Sequence, residues 1–316
     1  MQALNPPSPM LTDSSFDSDS DSDLEEDDDE VINARVYPCW LAYSAVLEQR
    51  GFRLDTVKEV RDSYSEIPDH FLRKHAGDRE DALCPDAGLC DNLFRGSRTC
   101  DGLRVMVKAV HRWSREFRVI CLLHCLREDP MNHCIPILDL IESDDDDVAL
   151  IVMEQWSSQL IDDDGPCNLR LFIAAIRQCI EHVTFMHQHR IAHLDISLRN
   201  LLTDYKGHYA YIDYELSRCF DSQESICIHD FRSTEIPPEC EHGECRDPFK
   251  ADVWALAILI LRACKLAGYC IPEFLRFTQP MLHSDLRQRP SMTQVLAAYD
   301  EMVSSIGDLD RLPSPH

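Results

Sequence analysis

The stretch His193-Leu194-Asp195-Ile196-Ser197-Leu198-Arg199-Asn200 sets a carboxylate five residues ahead of a carboxamide. Thirteen residues beyond Asn200, after a short apolar run, Asp213 follows in Tyr211-Ile212-Asp213-Tyr214-Glu215. Such a set of oxygen groups suits phosphoryl transfer, which asks the protein for little covalent chemistry. It needs a carboxylate on the acceptor hydroxyl, oxygen ligands for Mg2+, and a cation on the nucleotide phosphates. Asp195 can orient and deprotonate a hydroxyl. Asn200 and Asp213 can supply magnesium oxygens. Lys108, at the end of VMVK, can reach the α and β phosphates.

These residues need elements to hold them. Residues 103–110 alternate, with Val105, Val107 and Ala109 on one side, which predicts a strand carrying Lys108. Trp113, Phe117, Ile120 and Cys121 then recur at helical spacing. Glu116 shares the face of Trp113 and Ile120, so it should point inward and need a cationic partner. Residues 135–141 and 148–154 read as strands around an acidic turn at 143–147. Phe172, Ile176, Cys179, Ile180 and Val183 mark a long helix ending near residue 189, and short strands follow around Leu201 and at 209–212. The run 253–261 is apolar on all sides, as in a helix buried at a domain centre. Pro280 and Pro290 break the closing helices. Residues 31–100 are less legible, with short helices expected at 40–48 and 68–76. Strands first and helices later imply an α+β chain, a small sheet lobe joined to a helical lobe.

The motifs resemble the protein kinase family. HLDISLRN stands where that family carries HRDxxxxN, IDYE where it carries DFG, and VMVK where it carries VAIK. Pro237-Pro238-Glu239 resembles the APE motif, Asp252-Val253-Trp254 the start of the family's central helix, and Arg289-Pro290 its late arginine. Order and spacing agree across six motifs over residues 100–304. The resemblance implies a bilobal protein kinase-like fold, with an antiparallel sheet lobe, helix C and a mainly helical second lobe. It implies ATP and Mg2+ as cofactors and a protein substrate. Asp195, Lys108, Glu116 and Arg199 become the catalytic candidates, with Glu116 as the helix C partner of Lys108. Lys108, Met153, Glu154, Trp156, Asn200 and Asp213 become the nucleotide-binding set, and Asn200 and Asp213 the metal ligands. A Glu239–Arg289 ion pair is expected. The segment 129–139 (DPMNHCIPILD), Asp101-Gly102, IAHLDISLRN, and Trp40 with Arg50-Gly51-Phe52-Arg53-Leu54 resemble divergent kinase-like proteins of mushroom-forming fungi.

The sequence also departs from the family. No GxGxxG precedes Lys108; residues 85–102 hold only Gly88, Gly96 and Gly102. Leu194 replaces the HRD arginine, which argues against switching by an activation-loop phosphate. Ser197 stands where many serine/threonine kinases have lysine, while Arg199 sits at the arginine of the tyrosine-kinase DLAARN. Glu215 replaces the DFG glycine, where a Cβ restricts positive φ, and the Tyr214 hydroxyl needs a partner. Three readings follow: a protein kinase, a pseudokinase scaffold, or a small-molecule kinase, since IDYE also resembles the IDxE of aminoglycoside and choline kinases.

Charge divides the chain of 316 residues and net charge −25. Residues 1–30 hold 11 of the 56 acids and no Lys or Arg, and read as a disordered tail with Ser14, Ser15, Ser18, Ser20 and Ser22 open to acid-directed phosphorylation. Residues 31–100 read as an extension and the start of the sheet lobe, 101–156 as the sheet lobe, 157–304 as the helical lobe and 305–316 as a tail. The negative balance argues against nucleic acid or an anionic membrane surface as partner. The start of the chain does not resemble a signal peptide, and the longest apolar run has nine residues against roughly 20 for a membrane span. With 15 cysteines, the chain reads as a reduced intracellular protein, cytoplasmic or nuclear. Cys240-x-His242-x-x-Cys245 offers three zinc-type ligands without a clear fourth.

Overall fold

The computed structural model describes residues 31–63, 79–85, 88–143, 146–157, 169–220, 226–269 and 272–306. The expectations for 1–30, for a helix at 68–76 and for residues beyond 306 lie outside the described residues. The chain runs through helix α1 (Trp40–Gln49) and turns at Gly51 into strand β1 (Phe52–Leu54). Gly51 has φ +83°, a left-handed conformation that a Cβ would strain. Helix α2 (Val57–Ser63), strands β2 (Leu93–Arg98) and β3 (Arg104–His111), helix α3 (Arg115–Cys125), and strands β4 (Ile137–Glu142) and β5 (Val148–Glu154) follow.

The five strands form one antiparallel sheet in the order β1-β2-β3-β5-β4. Two of them come from residues 31–100, so the sheet lobe takes in chain well ahead of residue 101. The glycines also find other uses. Gly96 lies in β2, where a Cβ would sit 2.4 Å from the Arg53 carbonyl oxygen of β1. Gly102, at φ +74°, serves the β2–β3 turn.

Strand period does the sorting in β3. Val105, Val107 and Ala109 are fully buried beside Tyr43, Leu47, Phe52 and Phe94. The intervening Met106, Lys108 and Val110 face the other way, toward α3 and the second lobe. The α3 N-cap is Ser114, whose hydroxyl accepts from the Phe117 N–H at 3.2 Å. Trp113 therefore precedes the helix. It is 66% exposed, with the Arg112 guanidinium stacked over its ring, and not on an inward face as its spacing suggested. The helix starts at Arg115, two residues later than that pattern needs, but Glu116 is still buried.

The second lobe comprises α4 (Leu169–Gln188), β6 (Ile191–Ala192), β7 (Leu201–Thr203), β8 (Tyr209–Tyr211), β9 (Arg218–Cys219), α5 (Pro248–Leu266), α6 (Pro272–Thr278) and α7 (Met292–Ile306). Helix α5 begins where Asp247 accepts from the Lys250 N–H and Pro248 occupies the first turn. Its Leu256, Leu259 and Ile260 are buried against α4 in the main core. The α5 helix is longer than its apolar run because the ends are polar but helical. Cys240 and Cys245 are buried free thiols beside Phe220 and Ala251. Among the described residues, no helix is long and apolar enough to cross a membrane. A small antiparallel sheet flanked by short helices and by α3, joined to a helical lobe, is the bilobal α+β architecture of protein kinases.

Candidate active site

The floor of the cleft between the lobes is set by a hairpin register. Leu201 of β7 pairs with Tyr211 of β8, and the Ile212 N–H donates to the Asn200 carbonyl at 3.0 Å. That extra rung brings Asn200 and Asp213 to the same end of the hairpin. The Asn200 amide nitrogen donates to the Asp195 carbonyl at 2.9 Å and to Asp195 Oδ2 at 2.7 Å. The backbone N–H of Thr234 donates to Asp195 Oδ1 at 2.7 Å. Each carboxylate oxygen keeps a second lone pair for an incoming hydroxyl.

Beneath this loop lies a buried carboxylate. Asp252 of α5 accepts from the His193 N–H at 2.7 Å and from the Leu194 N–H at 2.8 Å, with His187 Nε2 at 3.0 Å. Leu194 has φ +65°, an unfavourable backbone for a branched residue, and the paired bonds to Asp252 hold it there.

The roof is organised by charge. Lys108 Nζ lies 2.7 Å from Glu116 Oε1, 3.1 Å from Asp213 Oδ1 and 3.3 Å from Glu215 Oε1. Burial pulls the Lys108 ammonium down, but the three carboxylates outweigh it and hold its pKa above the ordinary lysine value. Glu215 resolves the question raised by its Cβ: the left-handed conformation falls on Asp213, at φ +64°, and not on Glu215. Aspartate tolerates that region, so no glycine is needed after Tyr214. Glu215 is held in turn by Arg35, whose Nε lies 3.1 Å from Oε1 and whose Nη2 lies 3.2 Å from Oε2. Hydrogen bonding to Glu215 raises the Arg35 pKa further. Two residues earlier, Asn33 Oδ1 accepts from the Arg115 N–H of the first turn of α3 at 2.8 Å.

The Tyr214 hydroxyl has its partners. It lies 3.1 Å from His182 Nε2 and donates to the Tyr211 carbonyl at 3.2 Å. His182 Nδ1 accepts from the His133 N–H at 3.0 Å, so the neutral ring carries its proton on Nε2. Burial drives the His182 pKa well below its usual value. The 129–139 segment thereby ties the lobes together. Asn132 caps the end of α3 by donating to the carbonyls of Leu123 and of Leu126 just past the helix, and His133 pairs with Glu181 of α4 at 2.9 Å.

The cleft encloses about 790 Å³ and is lined by Lys108, Met153, Glu154, Trp156, Arg199 and Asp213. That volume suits a nucleotide-sized ligand. Met153 is the penultimate residue of β5 and is nearly buried, while the Glu154 carboxylate accepts from the Trp156 indole at 2.8 Å. Arg199 is exposed on the one-turn helix Leu198–Asn200 at the cleft edge. Glu239 and Arg289 form a bidentate pair at 2.7 and 3.1 Å, with Arg289 fully buried. The donor set fits a hard cation. The Asn200 nitrogen is used by Asp195, which leaves its Oδ1 as an oxygen ligand beside the Asp213 carboxylate.

Three residues of this site escaped sequence reasoning. Asp252 had a signal in Asp252-Val253-Trp254, but its brace on the loop at His193 and Leu194 did not follow from a helix start. Asn33 and Arg35 carried no local signal, because Arg35 meets Glu215 from 180 positions away.

A profile described as protein kinase domain matches residues 106–270, more than half of the chain. Myosin light chain kinase 2, skeletal/cardiac muscle, of Rattus norvegicus is 23% identical over 168 residues, 50% of this chain and 27% of that protein. Cyclin-dependent kinase 7 of Carassius auratus is 32% identical over 108 residues, 33% of this chain and 30% of its own length. CBL-interacting serine/threonine-protein kinase 18 of Arabidopsis thaliana is 34% identical over 88 residues, 27% of this chain and 17% of its own. The chain spans less than a third of each of these relatives. Profile span, bilobal fold and the paired Lys108 and Glu116 agree, and the chain belongs to the protein kinase family.

Proposed function

We propose that this chain transfers the γ-phosphate of ATP to a hydroxyl of a protein substrate. The observation that carries the reading is the joint placement of Lys108, Glu116 and Asp213 within 3.1 Å contacts, above an Asp195 bonded to Asn200. In this reading Asp195 orients the acceptor hydroxyl and takes its proton. Lys108, steadied by Glu116, holds the α and β phosphates, and Arg199 faces the transferred group from the cleft edge. Asn200 and Asp213 hold Mg2+, which neutralises charge on the phosphates. Met153, Glu154 and Trp156 bracket the adenine.

A second reading, a pseudokinase that binds nucleotide or protein as a scaffold, is favoured by two observations. Glu215 crowds Lys108, and residues 55–92 separate β1 from β2 where the family has a glycine-rich turn. Labelled ATP with Mg2+ and mixed protein acceptors separates the two. Incorporation that disappears in Asp195→Asn supports the transferase. A melting temperature raised by ATP–Mg2+ without incorporation supports the scaffold. An unshifted melting temperature with no incorporation overturns both nucleotide readings.

A further inference from the structure

The cluster in the roof contains an oddity of charge. Glu116, Asp213 and Glu215 bring three carboxylates to one ammonium, and Arg35 adds the second positive charge. Glu116 is fully buried and belongs to Lys108 alone by distance. Glu215 is different. Its Oε1 is gripped from two sides, by Lys108 Nζ at 3.3 Å and by Arg35 Nε at 3.1 Å. The Arg35 guanidinium is placed by a further contact, from Nη1 to Cys90 Sγ at 3.4 Å. Arg35, Cys90, Lys108 and Glu215 all line the large cleft. An ammonium and a forked guanidinium closing on one oxyanion is the arrangement that proteins use for phosphate. Here the oxyanion is a side chain of the protein itself.

We propose that Glu215 is an internal stand-in for a nucleotide phosphate, and that Arg35 is a second phosphate-binding cation of the cleft. The inference rests on the reading of the cleft as an ATP site. The triphosphate and the Glu215 carboxylate compete for the same two cations, so binding requires Glu215 to turn away. Glu215 is 26% exposed on its side chain, which leaves solvent on one flank for that turn. Arg35 thus does with one side chain what the missing glycine-rich turn does with backbone N–H groups. The N-terminal segment that carries it becomes part of the nucleotide site. Metal-free triphosphate binds poorly while Glu215 is charged and in place, because the cluster already holds one carboxylate more than it has cations.

Calorimetric titration of the full chain in EDTA tests this, with ATP, adenosine and inorganic tripolyphosphate as probes. Glu215→Gln keeps the shape and removes the charge. It is expected to tighten ATP and tripolyphosphate by about tenfold or more, the scale of a lost charged contact, and to leave adenosine unchanged. Adding Arg35→Gln to Glu215→Gln should return most of that gain. If Arg35 only positions Glu215, the second substitution has no effect in that background, and the assignment of Arg35 is overturned. ATP binding that does not tighten in Glu215→Gln or in Glu215→Gly overturns the stand-in while leaving the ATP reading intact. Tripolyphosphate that tightens where neither ATP nor adenosine binds supports the clamp and sinks the nucleotide reading. No binding of any probe to chains with an intact melting transition overturns both.

Discussion

On the floor of the cleft, Asp195 and Asn200 sit in a mesh of hydrogen bonds anchored on one buried residue, Asp252. In the roof, Lys108 sits among charges, two of which arrive from distant sequence as Arg35 and Glu215. Hydrogen bonds to backbone N–H groups are directional, so the mesh holds one geometry. Ion pairs are less directional and can trade one oxyanion for another. The floor thus holds one arrangement, and the roof can exchange one oxyanion for another. On the proposed transferase reading, the first would hold a hydroxyl in line and the second would admit a highly charged ligand. The roof keeps the Lys108–Glu116 pair but lacks the glycine-rich turn, and the floor keeps Asp195 and Asn200 but has Leu194 in place of the family's arginine.

The largest effect should come from the floor. Asp195→Asn keeps the shape but turns one of the two oxygens that accept from the Thr234 N–H and the Asn200 amide into a donor, and it cannot accept a proton. Turnover should fall about 10²–10⁴-fold, with ATP binding unchanged by calorimetry. Unchanged turnover would remove Asp195 from the chemistry. Next comes the brace. Asp252→Ala leaves two buried N–H groups without their acceptor and frees the strained Leu194. It should cost about 3 kcal/mol or more, seen as a melting temperature lower by roughly 10 °C. A loss under about 1 kcal/mol would show that water repairs the site and that the floor is no more rigid than the roof.

The pattern of what could be read in advance follows the same divide. The floor's motif residues, Asp195, Asn200 and Asp213, lie within 19 positions of one another, so spacing nominated them and the hairpin register explains why that spacing works, but their brace Asp252 did not follow from it. The α4 and α5 helices were legible because their apolar residues recur with helical period or fill every side. The roof was less legible. β1 and β2 are short and separated by residues 55–92, so neither alternation nor a turn signal linked them. Trp113 misled because an aromatic at helical spacing also suits a residue just outside the cap, stacked on a neighbouring arginine. Arg35 and Asn33 act through contacts of high sequence separation, which no local pattern encodes.

A pH series probes the seam between floor and roof. His182 is buried and neutral, with its pKa well below the usual value, whereas in the unfolded chain it titrates near 6.5. Below that pH the unfolded state binds a proton that the folded state refuses. Stability should therefore fall as pH drops from about 6.5, by up to about 1.4 kcal/mol per unit for this group. Denaturant midpoints at several pH values should show this slope, and His182→Gln should flatten it. A slope unaltered in that variant would place the acid sensitivity elsewhere.

The smallest effect separates two caps on the same helix end. Ser114 accepts from Phe117 N–H and belongs to α3 itself, while Asn33 accepts from Arg115 N–H and belongs to the segment that carries Arg35. Each satisfies one N–H of the first turn, so Ser114→Ala and Asn33→Ala should each cost about 1 kcal/mol in denaturant unfolding. Stability alone cannot tell them apart. Nucleotide affinity should, because loss of Asn33 releases the segment that places the Arg35 guanidinium, and loss of Ser114 does not. Asn33→Ala should weaken tripolyphosphate binding several-fold in a Glu215→Gln background, where no internal carboxylate holds Arg35 in place. Ser114→Ala should leave it unchanged there. Equal effects from the two would mean that the helix, and not the segment beside it, sets the roof.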